Sequence, residues 1–551
     1  METVLPGVFI DVRPEGLIVP GRVTVGNIGI VGTANKGPVG EPVVLGSLTQ
    51  AREQFGQSDP WINGDSNELT LIRALEIAYA HGATTVVAVR TATDSAAAAS
   101  CSLASASGES ITLSAKTPGT AGNNLAINVT AAEQDAFVEE ESVDPTAPTF
   151  SRIPVVKGAR NRILVNGLSR QLIYDDAADP VASGQIQVDR ATGSLTFPAG
   201  ETPVEGDTIS AFYTVAQTSA VKVTLRYGQA EEIYTVVDNS DLERDINANS
   251  LLVDAELIAN DGEVPTLSTS ADVFAPFQGG VNGADAGDAE YQTSLELLLD
   301  EEVQIVLGAG RDESFGNELD AHCQIASSDA VRRDRIGVVG TGTLSANKSA
   351  SVGEITEHTQ ASDRIILVAP GITVNDTAAS TEVTLPGAYA AAAIAGLLSS
   401  YSPHISLTNK TLRVGGLEHR YNNAELAQIV RSRVLALESR QGFRVVRGIT
   451  TATNTAWTQI TTRRIVDYAK YGVRSAANPY IGLLNNERVR GALRATINSF
   501  LAGMVTGEML VSYELDVSAT REQERQGIVQ VIMTLRPTFS IDFIQVTMFL
   551  E

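Results

Sequence analysis

The sequence has few of the residues that build catalytic or metal sites. Its 551 residues include two cysteines, Cys101 and Cys323, and five histidines. The cysteines are too far apart for a CxxC metal motif, and the histidines form no HExxH pattern. Neither GxSxG nor GxxxxGK[ST] is present, and the Gly-rich stretches near residues 26–32 and 307–311 do not fit a dinucleotide-binding GxGxxG. We therefore expect no catalytic residue, no metal and no cofactor, and we interpret Cys323, beside His322, as a buried structural residue.

Long apolar runs and targeting patterns are also missing. The longest apolar run, from Ala388 to Leu398, is shorter than the roughly 18 residues that a membrane-spanning helix requires. Arg13 is the first cationic residue, so the start lacks the basic segment that precedes the apolar stretch of an export signal. We expect no membrane insertion, no classical export and folding in a reducing compartment.

Charge is unevenly distributed along the chain. The formal net charge is -25, but residues 401–551 carry 18 Lys and Arg against 12 Asp and Glu, whereas residues 1–400 are strongly acidic. The acidic part would repel phosphate, and no basic run is interleaved with aromatic residues, so we expect no direct nucleic-acid binding. The basic end is either an ordinary solvated surface or a face for an acidic partner.

Hydrophobic periodicity predicts a mixed α/β (α+β) core built from N- and C-terminal segments. Residues 96–274 interrupt it with short strands and turn signals, which predict inserted β-rich domains. The predicted core strands are Ile28–Val31, Thr84–Arg90, Val303–Gly310, Arg335–Gly340, Arg364–Gly371 and one from Phe443; the predicted helices are about Asn67–His81, Asn423–Ser439 and Asn485–Gly503.

These patterns divide the chain into six segments. We predict an N-terminal extended arm at 1–20, core segments at 21–95 and 275–400, the β-rich insertion at 96–274 with a nested module at about 150–213, a C-terminal domain at 401–536 and a C-terminal β-arm at 537–551.

Both ends of the chain have the pattern of an unpaired strand. The start of the chain is predicted to be extended, with Val4, Val8, Ile10 and Val12 on one side. About twenty extended residues would span some 60 Å. Near the end, one face holds Ile544, Val546, Met548 and Leu550, and the other holds Ile541, Phe543 and Phe549. Only Asp542 and Glu551 place charge on this apolar edge, and such an edge pairs either within its own sheet or with another chain.

Several stretches, in this order, resemble contractile tail sheath proteins of myophages and related injection systems. They are LPGVFIDV, IGIVGTANKGPVGEPV, AKTPGTAGNNLAINVT, FQGGVNGADAGDAEYQTSLELLL, WTQITTRRIVDYAKYGV, NNERVRGALRATINSFLAGMVTGEML and RPTFSIDFIQVTMFLE. One departure is RGITTATN, where the family often has Gly-Ala-Arg-Thr.

The resemblance implies a structural subunit that polymerises as a helical sleeve around an inner tube and contracts to drive the tube through a target envelope. It implies that the insertion lies on the outside and that residues 401–536 face the tube. It also implies partners: further copies of the chain, the inner tail tube protein, and baseplate and tail terminator proteins. The location would be the virion tail, assembled in the host bacterial cytoplasm, or a cellular injection system.

The resemblance also assigns roles to individual residues. The terminal arms would add to sheets of neighbouring subunits. The expected inter-subunit residues are Val4, Leu5, Val8, Phe9, Ile10, Val12, Ile541, Phe543, Ile544, Val546, Met548, Phe549 and Leu550. Arg490 and Arg494, one helical turn apart, are candidates for contact with an acidic tube, or else ordinary solvated helix charges.

Two other classes of protein fit parts of the sequence. A cytosolic α/β enzyme with β insertions would need titratable groups at the strand ends, where the sequence has Gly-rich loops. A self-assembling surface-array protein would also associate with itself, but it would usually carry an export signal.

Overall fold

A computed structural model gives the three-dimensional structure of residues 25–62, 68–176, 181–260 and 262–550. These residues form two compact units. The core unit contains the described residues within 25–34, 39–93 and 284–550, and the insertion unit contains those within 35–38 and 94–283. The predicted N-terminal arm, with Val4, Leu5, Val8, Phe9, Ile10 and Val12, lies outside the described residues.

The helices of the described residues are, in chain order, α1 Leu48–Phe55, α2 Leu71–Ala80, α3 Asn239–Asn249, α4 Asp288–Glu296, α5 Gly316–Ala326, α6 Lys348–Thr356, α7 Gly387–Ser400, α8 Asn423–Arg431, α9 Ile460–Ala477, α10 Glu487–Thr506 and α11 Arg521–Arg525. Several begin at a side-chain cap: Asn422 and Asn486 accept hydrogen bonds from the first backbone N–H groups of α8 and α10. Such caps satisfy donors that have no partner inside the helix.

The strands are β1 Ile28–Gly32, β2 Pro42–Leu45, β3 Val86–Arg90, β4 Ser100–Ser105, β5 Gly108–Ala115, β6 Leu125–Ala131, β7 Ala136–Val143, β8 Val155–Val156, β9 Arg162–Val165, β10 Leu168–Tyr174, β11 Gln185–Val188, β12 Leu195–Thr196, β13 Ile209–Val215, β14 Val221–Tyr227, β15 Ala230–Val236, β16 Val253–Leu257, β17 Ala275–Pro276, β18 Ile305–Gly308, β19 Ile336–Gly340, β20 Ile365–Ala369, β21 Ile372–Asp376, β22 Thr381–Leu385, β23 Thr411–Leu412, β24 Gly416–Leu417, β25 Leu435–Ser439, β26 Phe443–Val445, β27 Leu510–Ser518 and β28 Gln530–Pro537.

A nine-stranded sheet in the order β2-β3-β1-β18-β19-β20-β25-β26-β23 forms the centre of the core unit. The strands from β3 to β25 pair in parallel, and the antiparallel strands lie at the two sides. β1, β3, β18, β19 and β20 are buried along their whole length. Parallel strands covered on both faces have this continuous apolar composition. The strands predicted at Ile28, Thr84, Val303, Arg335 and Arg364 are confirmed; the first is one residue longer than predicted and the other four are slightly shorter.

Helix α7 contains the longest apolar run of the sequence and is buried from Gly387 to Ser399. It crosses α2 closely, because a Cβ at Gly396 would lie 2.3 Å from the carbonyl oxygen of Ala78. Over the described residues, no helix combines the length and the apolar composition needed to cross a bilayer.

The helix predicted over Asn423–Ser439 is wrong in its second half. α8 ends at Arg431, and Leu435–Ser439 forms β25 beside β20. Arg433 has φ of 68°, a left-handed conformation that stops a right-handed helix. Leu435, Ala436 and Leu437 are then buried in the sheet, where packing on both faces outweighs their helical spacing.

The boundary predicted at residue 401 does not separate two cores. β23, β25 and β26 follow that residue and belong to the nine-stranded sheet. The apolar cluster of α9, α10, β27 and β28 begins only at Ile465. The predicted helix at Asn485–Gly503 corresponds to α10, and that at Asn67–His81 to α2, whose predicted first residue, Asn67, is not among those described.

The insertion unit is mainly β-structure. It contains a seven-stranded sheet from β7 to β13, a four-stranded sheet in the order β15-β14-β6-β17 and a three-stranded sheet in the order β16-β5-β4. Two apolar clusters fill it, one with Tyr213 stacked on Phe150 and one with Leu242 and Ile246 of α3. Its ends at 94 and 283 lie close to the predicted 96 and 274. Sequence analysis did not predict α3.

Candidate assembly surface

The C-terminal segment that follows β28 is apolar and exposed. Among the described residues, 541–550 pair with no strand of their own chain. The exposed fraction is 79% for Ile541, 81% for Ile544 and 89% for Phe549, and the other apolar residues of the segment are similarly exposed: Phe543, Val546, Met548 and Leu550. The pairing of this segment with a neighbouring subunit stays a prediction.

Asp542 is the exception within this segment. Its carboxylate is 7% exposed and forms an ion pair with Arg447 at 2.9 Å. The hydroxyl of Thr408 donates to the same carboxylate at 3.2 Å, and the side-chain amide of Gln459 donates at 3.4 Å. The neighbouring Ser540 hydroxyl also donates to it at 3.3 Å. The sequence indicated only a charge that interrupts an apolar edge, because Thr408, Arg447 and Gln459 are 83 to 134 positions away from Asp542.

β27 and β28 form a two-stranded antiparallel sheet whose two outer edges have no partner strand among the described residues. On one face, Tyr513, Leu515, Val517, Val531, Met533 and Leu535 are half-buried against the cluster of α9 and α10. The opposite face is polar apart from Val511 and Ile532, which are exposed. An isolated hairpin of this kind is marginal in water, and each open edge presents unpaired backbone N–H and C=O groups.

α9 and α10 support this hairpin through close packing. The backbone of Gly472 on α9 lies against the Phe500 ring on α10, so a Cβ there would meet the ring at 1.9 Å. Tyr468 stacks on the same ring with 5.8 Å between centroids. α9 was not among the helices predicted from the sequence. The helical spacing of Ile465, Ala469, Gly472 and Ala476 would have indicated it.

A buried set of ion pairs joins α9 to the core sheet. Arg364, before β20, contacts Asp467 at 2.9 Å and Asp334 at 3.5 Å. Lys470 and Arg474 on α9 also pair with Asp334, which is 3% exposed. Part of the basic surplus of residues 401–551 is therefore neutralised by acidic residues of the preceding segment.

The structure places the two tube-contact candidates differently. Arg490 is held by Glu524 at 3.0 Å and by the side-chain oxygen of Asn485 at 2.8 Å, and only 16% of its side chain is exposed. Arg494 lies on the exposed side of α10. Sequence analysis did not find Glu524 because it is 34 positions away on α11.

The interpretation of Cys323 as a buried structural residue is confirmed. Its side chain is fully buried, and burial raises the pKa of its thiol to about 12. Burial, together with the nearby Arg335 guanidinium, lowers the pKa of His322 to about 3. Both groups are therefore uncharged at neutral pH. Over the described residues, no three His, Cys, Asp or Glu side chains are grouped so as to hold a metal ion.

Comparison with known proteins gives a consistent result. The chain has the fold of the sheath tail protein of Desulfitobacterium hafniense, with a TM-score of 0.58 at 13% identity, covering 97% of this chain and 100% of the other. The sheath tail protein of Listeria innocua gives a TM-score of 0.58 at 13% identity over 95% and 97% of the two chains. The anti-feeding prophage helical sheath in its contracted state gives 0.51 at 12% identity over 100% of both.

The C-terminal part also matches at the level of sequence. Residues 452–551 match the phage tail sheath C-terminal domain family. No curated protein matches the chain. The fold is thus that of tail sheath proteins, residues 452–551 match the phage tail sheath C-terminal domain, and the resemblance to a contractile tail sheath protein is confirmed.

Proposed function

We propose that this chain is a structural, non-enzymatic subunit of a contractile sheath that polymerises as a helical sleeve around an inner tube and contracts to drive the tube through a target envelope. The family match of residues 452–551 and the fold shared with a helical sheath support this function. The alternatives of a cytosolic enzyme and a surface array have no support from these comparisons.

The observation that carries the proposal is the combination of a free strand and a free edge in one chain. Residues 543–550 offer an exposed apolar segment, and the hairpin of β27 and β28 offers two open edges. A segment of one copy that adds to the hairpin of the next makes a head-to-tail contact. Such contacts generate a helical filament when they do not close into a ring.

The side-chain pattern of the segment fits this addition. Ile544, Val546, Met548 and Leu550 alternate with Phe543, Gln545, Thr547 and Phe549. In an added strand, the wholly apolar row would continue the half-buried face of the hairpin above α10, and the mixed row would continue its polar face. Main-chain hydrogen bonds would supply affinity, and the alternation would fix the register.

Contraction in this proposal draws on surface contacts rather than on a bound nucleotide. Subunits held in a metastable extended sleeve gain contacts as they rotate outward, and the arms keep neighbours joined during the movement. Val4–Val12 would supply a second connection of the same kind. The insertion unit would lie on the outside of the sleeve, and residues of the C-terminal domain would face the tube.

We assign the remaining partners on the same basis. The inner tube protein, the baseplate and the tail terminator would contact the sheath, and the assembly would belong to a virion tail made in the host bacterial cytoplasm or to a cellular injection system. Arg494 is exposed and suits a weak contact with an acidic tube, whereas Arg490 already pairs with Glu524. Exposed ion pairs contribute about 0–1 kcal/mol each, which suits a contact that must slip.

Electron microscopy of the purified protein tests the proposal. We expect striated tubes, and we expect a variant lacking residues 541–551 to remain as separate subunits with an unchanged circular dichroism spectrum. Flat sheets would indicate a surface array, and discrete particles from the full-length chain under all assembly conditions would contradict a sheath.

A further inference from the structure

One residue of the C-terminal segment is held by the rest of the core unit. Among residues 541–550, only Asp542 is not exposed, whereas its neighbours Ile541 and Phe543 are 79% and 77% exposed. The segment is therefore held at Asp542, and residues 543–550 that follow it are exposed.

The contacts at this point come from three separate parts of the core unit. Arg447, just after β26, donates from Nε to the Asp542 carboxylate at 2.9 Å. Thr408, just before β23, donates at 3.2 Å, and Gln459, the N-cap residue of α9, donates at 3.4 Å. The guanidinium of Arg447 also lies 5.4 Å from the centroid of the Phe543 ring. A carboxylate that accepts several charged and neutral donors is held more firmly than one in a single surface pair.

The Thr408 donor and the backbone beside it have further hydrogen bonds within the core unit. The backbone N–H of Gly448 donates to the Thr408 hydroxyl at 3.1 Å. The backbone N–H of Asn409 donates to the carbonyl of Val445 at 2.8 Å, and that of Val445 donates to the carbonyl of Lys410 at 3.0 Å. The Thr408 hydroxyl and the backbone near it are thus fixed by the edge of the central sheet.

We propose that Asp542 is the anchor that positions the C-terminal arm for assembly. The clasp with Arg447, Thr408 and Gln459 fixes the departure point of residues 543–550, and their free length of about 26 Å then limits which neighbour they reach. An arm that left at Pro537 would carry five more residues, with a larger reach and a larger entropic cost of docking. The inference rests on the proposed sheath function for its purpose, but the anchor itself exists in a single subunit.

The anchor can be measured in the unassembled subunit. Nitroxide labels at Ile544→Cys and Arg440→Cys, in a Cys101→Ser background that leaves the fully buried Cys323, report the distance between the arm and the β25–β26 turn. We expect a narrow distance distribution for this protein and a broad one after Asp542→Asn or Arg447→Gln. Equal widths with and without Asp542→Asn would overturn the anchor, whether or not the protein forms a sheath.

Assembly provides the second readout. We expect Asp542→Asn to reduce filament yield about tenfold at a fixed subunit concentration, because loss of a charged hydrogen-bonded contact changes an equilibrium by about that factor. Asp300→Asn, at an exposed carboxylate of the same unit, is the matched control and should leave the yield unchanged.

A charge exchange separates anchoring from general loss of stability. Asp542→Arg combined with Arg447→Asp restores the ion pair without the contacts to Thr408 and Gln459, so we expect filament yield to recover part of the loss seen in each single variant. If the wild-type protein assembles and Asp542→Asn assembles equally well, the positioning role is overturned. A wild-type protein that never assembles would instead count against the sheath function.

Discussion

The central sheet and the C-terminal hairpin complete their hydrogen bonding in different ways. The nine-stranded sheet has six parallel strands in its middle and short antiparallel strands at its sides. Its central strands are buried on both faces. The hairpin of β27 and β28 has two strands, two outer edges with no partner strand in the described part of the chain, and a face that is only half-buried. One chain thus combines a sheet whose middle strands are paired on both sides in the single subunit with a hairpin that we propose gains a further strand on assembly.

The largest expected effect of a substitution is on the stability of the nine-stranded sheet. Gly340→Ala should strongly destabilise the core unit, because a Cβ at this position would lie 1.8 Å from the Gly387 carbonyl oxygen and 2.6 Å from the Ala388 backbone nitrogen. We expect a cost above about 3 kcal/mol, at the upper end for overpacking. Thermal unfolding measures it, and Gly491→Ala on α10, where no atom lies within 4 Å of the new Cβ, is the control. The control should be neutral or slightly stabilising; equal melting temperatures for the two variants would contradict the packing argument.

The next largest effect concerns assembly through the hairpin of β27 and β28. Val546→Asp should weaken assembly by about 2 kcal/mol, because it would bury a carboxylate beside the half-buried face of the neighbouring hairpin. Thr547→Asp, one position further on, would point to the polar face and should cost much less. Sedimentation at several subunit concentrations measures both, and both should melt at the wild-type temperature since the residues are exposed in the single subunit. Equal losses in the two variants would show that alternation does not set the contact.

The two units should respond differently to acid. His322 in the core unit has a pKa lowered to about 3, mainly by burial. The unfolded chain, with a His pKa of about 6.5, binds the proton first, so the core unit loses stability as the pH falls from about 6.5 towards 3.

Asp241 in the insertion unit has a pKa raised to about 6, mainly by burial. The folded state binds that proton first, so the insertion unit gains relative stability as the pH falls from about 6 towards 4.

Calorimetry at pH 7 and pH 5 checks this difference. His322→Gln should reduce the acid sensitivity of the core unit by about 1 kcal/mol or more over this range, and Asp241→Asn should remove the opposite trend of the insertion unit. If the core unit of His322→Gln showed the same acid response as that of the wild type, the response would have to come from other titratable groups.

The smallest effect concerns the two arginines of α10. Arg494→Glu should leave the melting temperature unchanged and alter co-assembly with the tube and its salt dependence by about 0–1 kcal/mol. Arg490→Glu should lower the melting temperature as well, because it places a carboxylate beside Glu524. If Arg494→Glu co-assembled with the tube with the wild-type salt dependence, Arg494 would not contribute to the tube contact.

Prediction from sequence succeeded where a local pattern favours one structure. β1, β3, β18, β19 and β20 are short apolar runs, rich in β-branched residues and followed by glycine or a loop, which is typical of parallel strands buried on both faces. The β-rich character of the insertion followed from short strands at regular spacing. β25 was predicted as helix, because Leu435, Ala436 and Leu437 have the spacing of either element and only their place beside β20 decides between them.

The candidate surface divides in the same way. The sequence by itself determined that the last ten residues are an apolar alternating segment, because the identity and order of side chains settle that pattern. Only the tertiary structure decided that Asp542 is clasped by Arg447, Thr408 and Gln459, that Arg490 pairs with Glu524, and that no other described strand pairs with the edges of the hairpin. Each of these depends on residues brought together from distant parts of the chain, and the physical reason is that ion pairs and strand partners form between atoms close in space, whatever their separation in sequence.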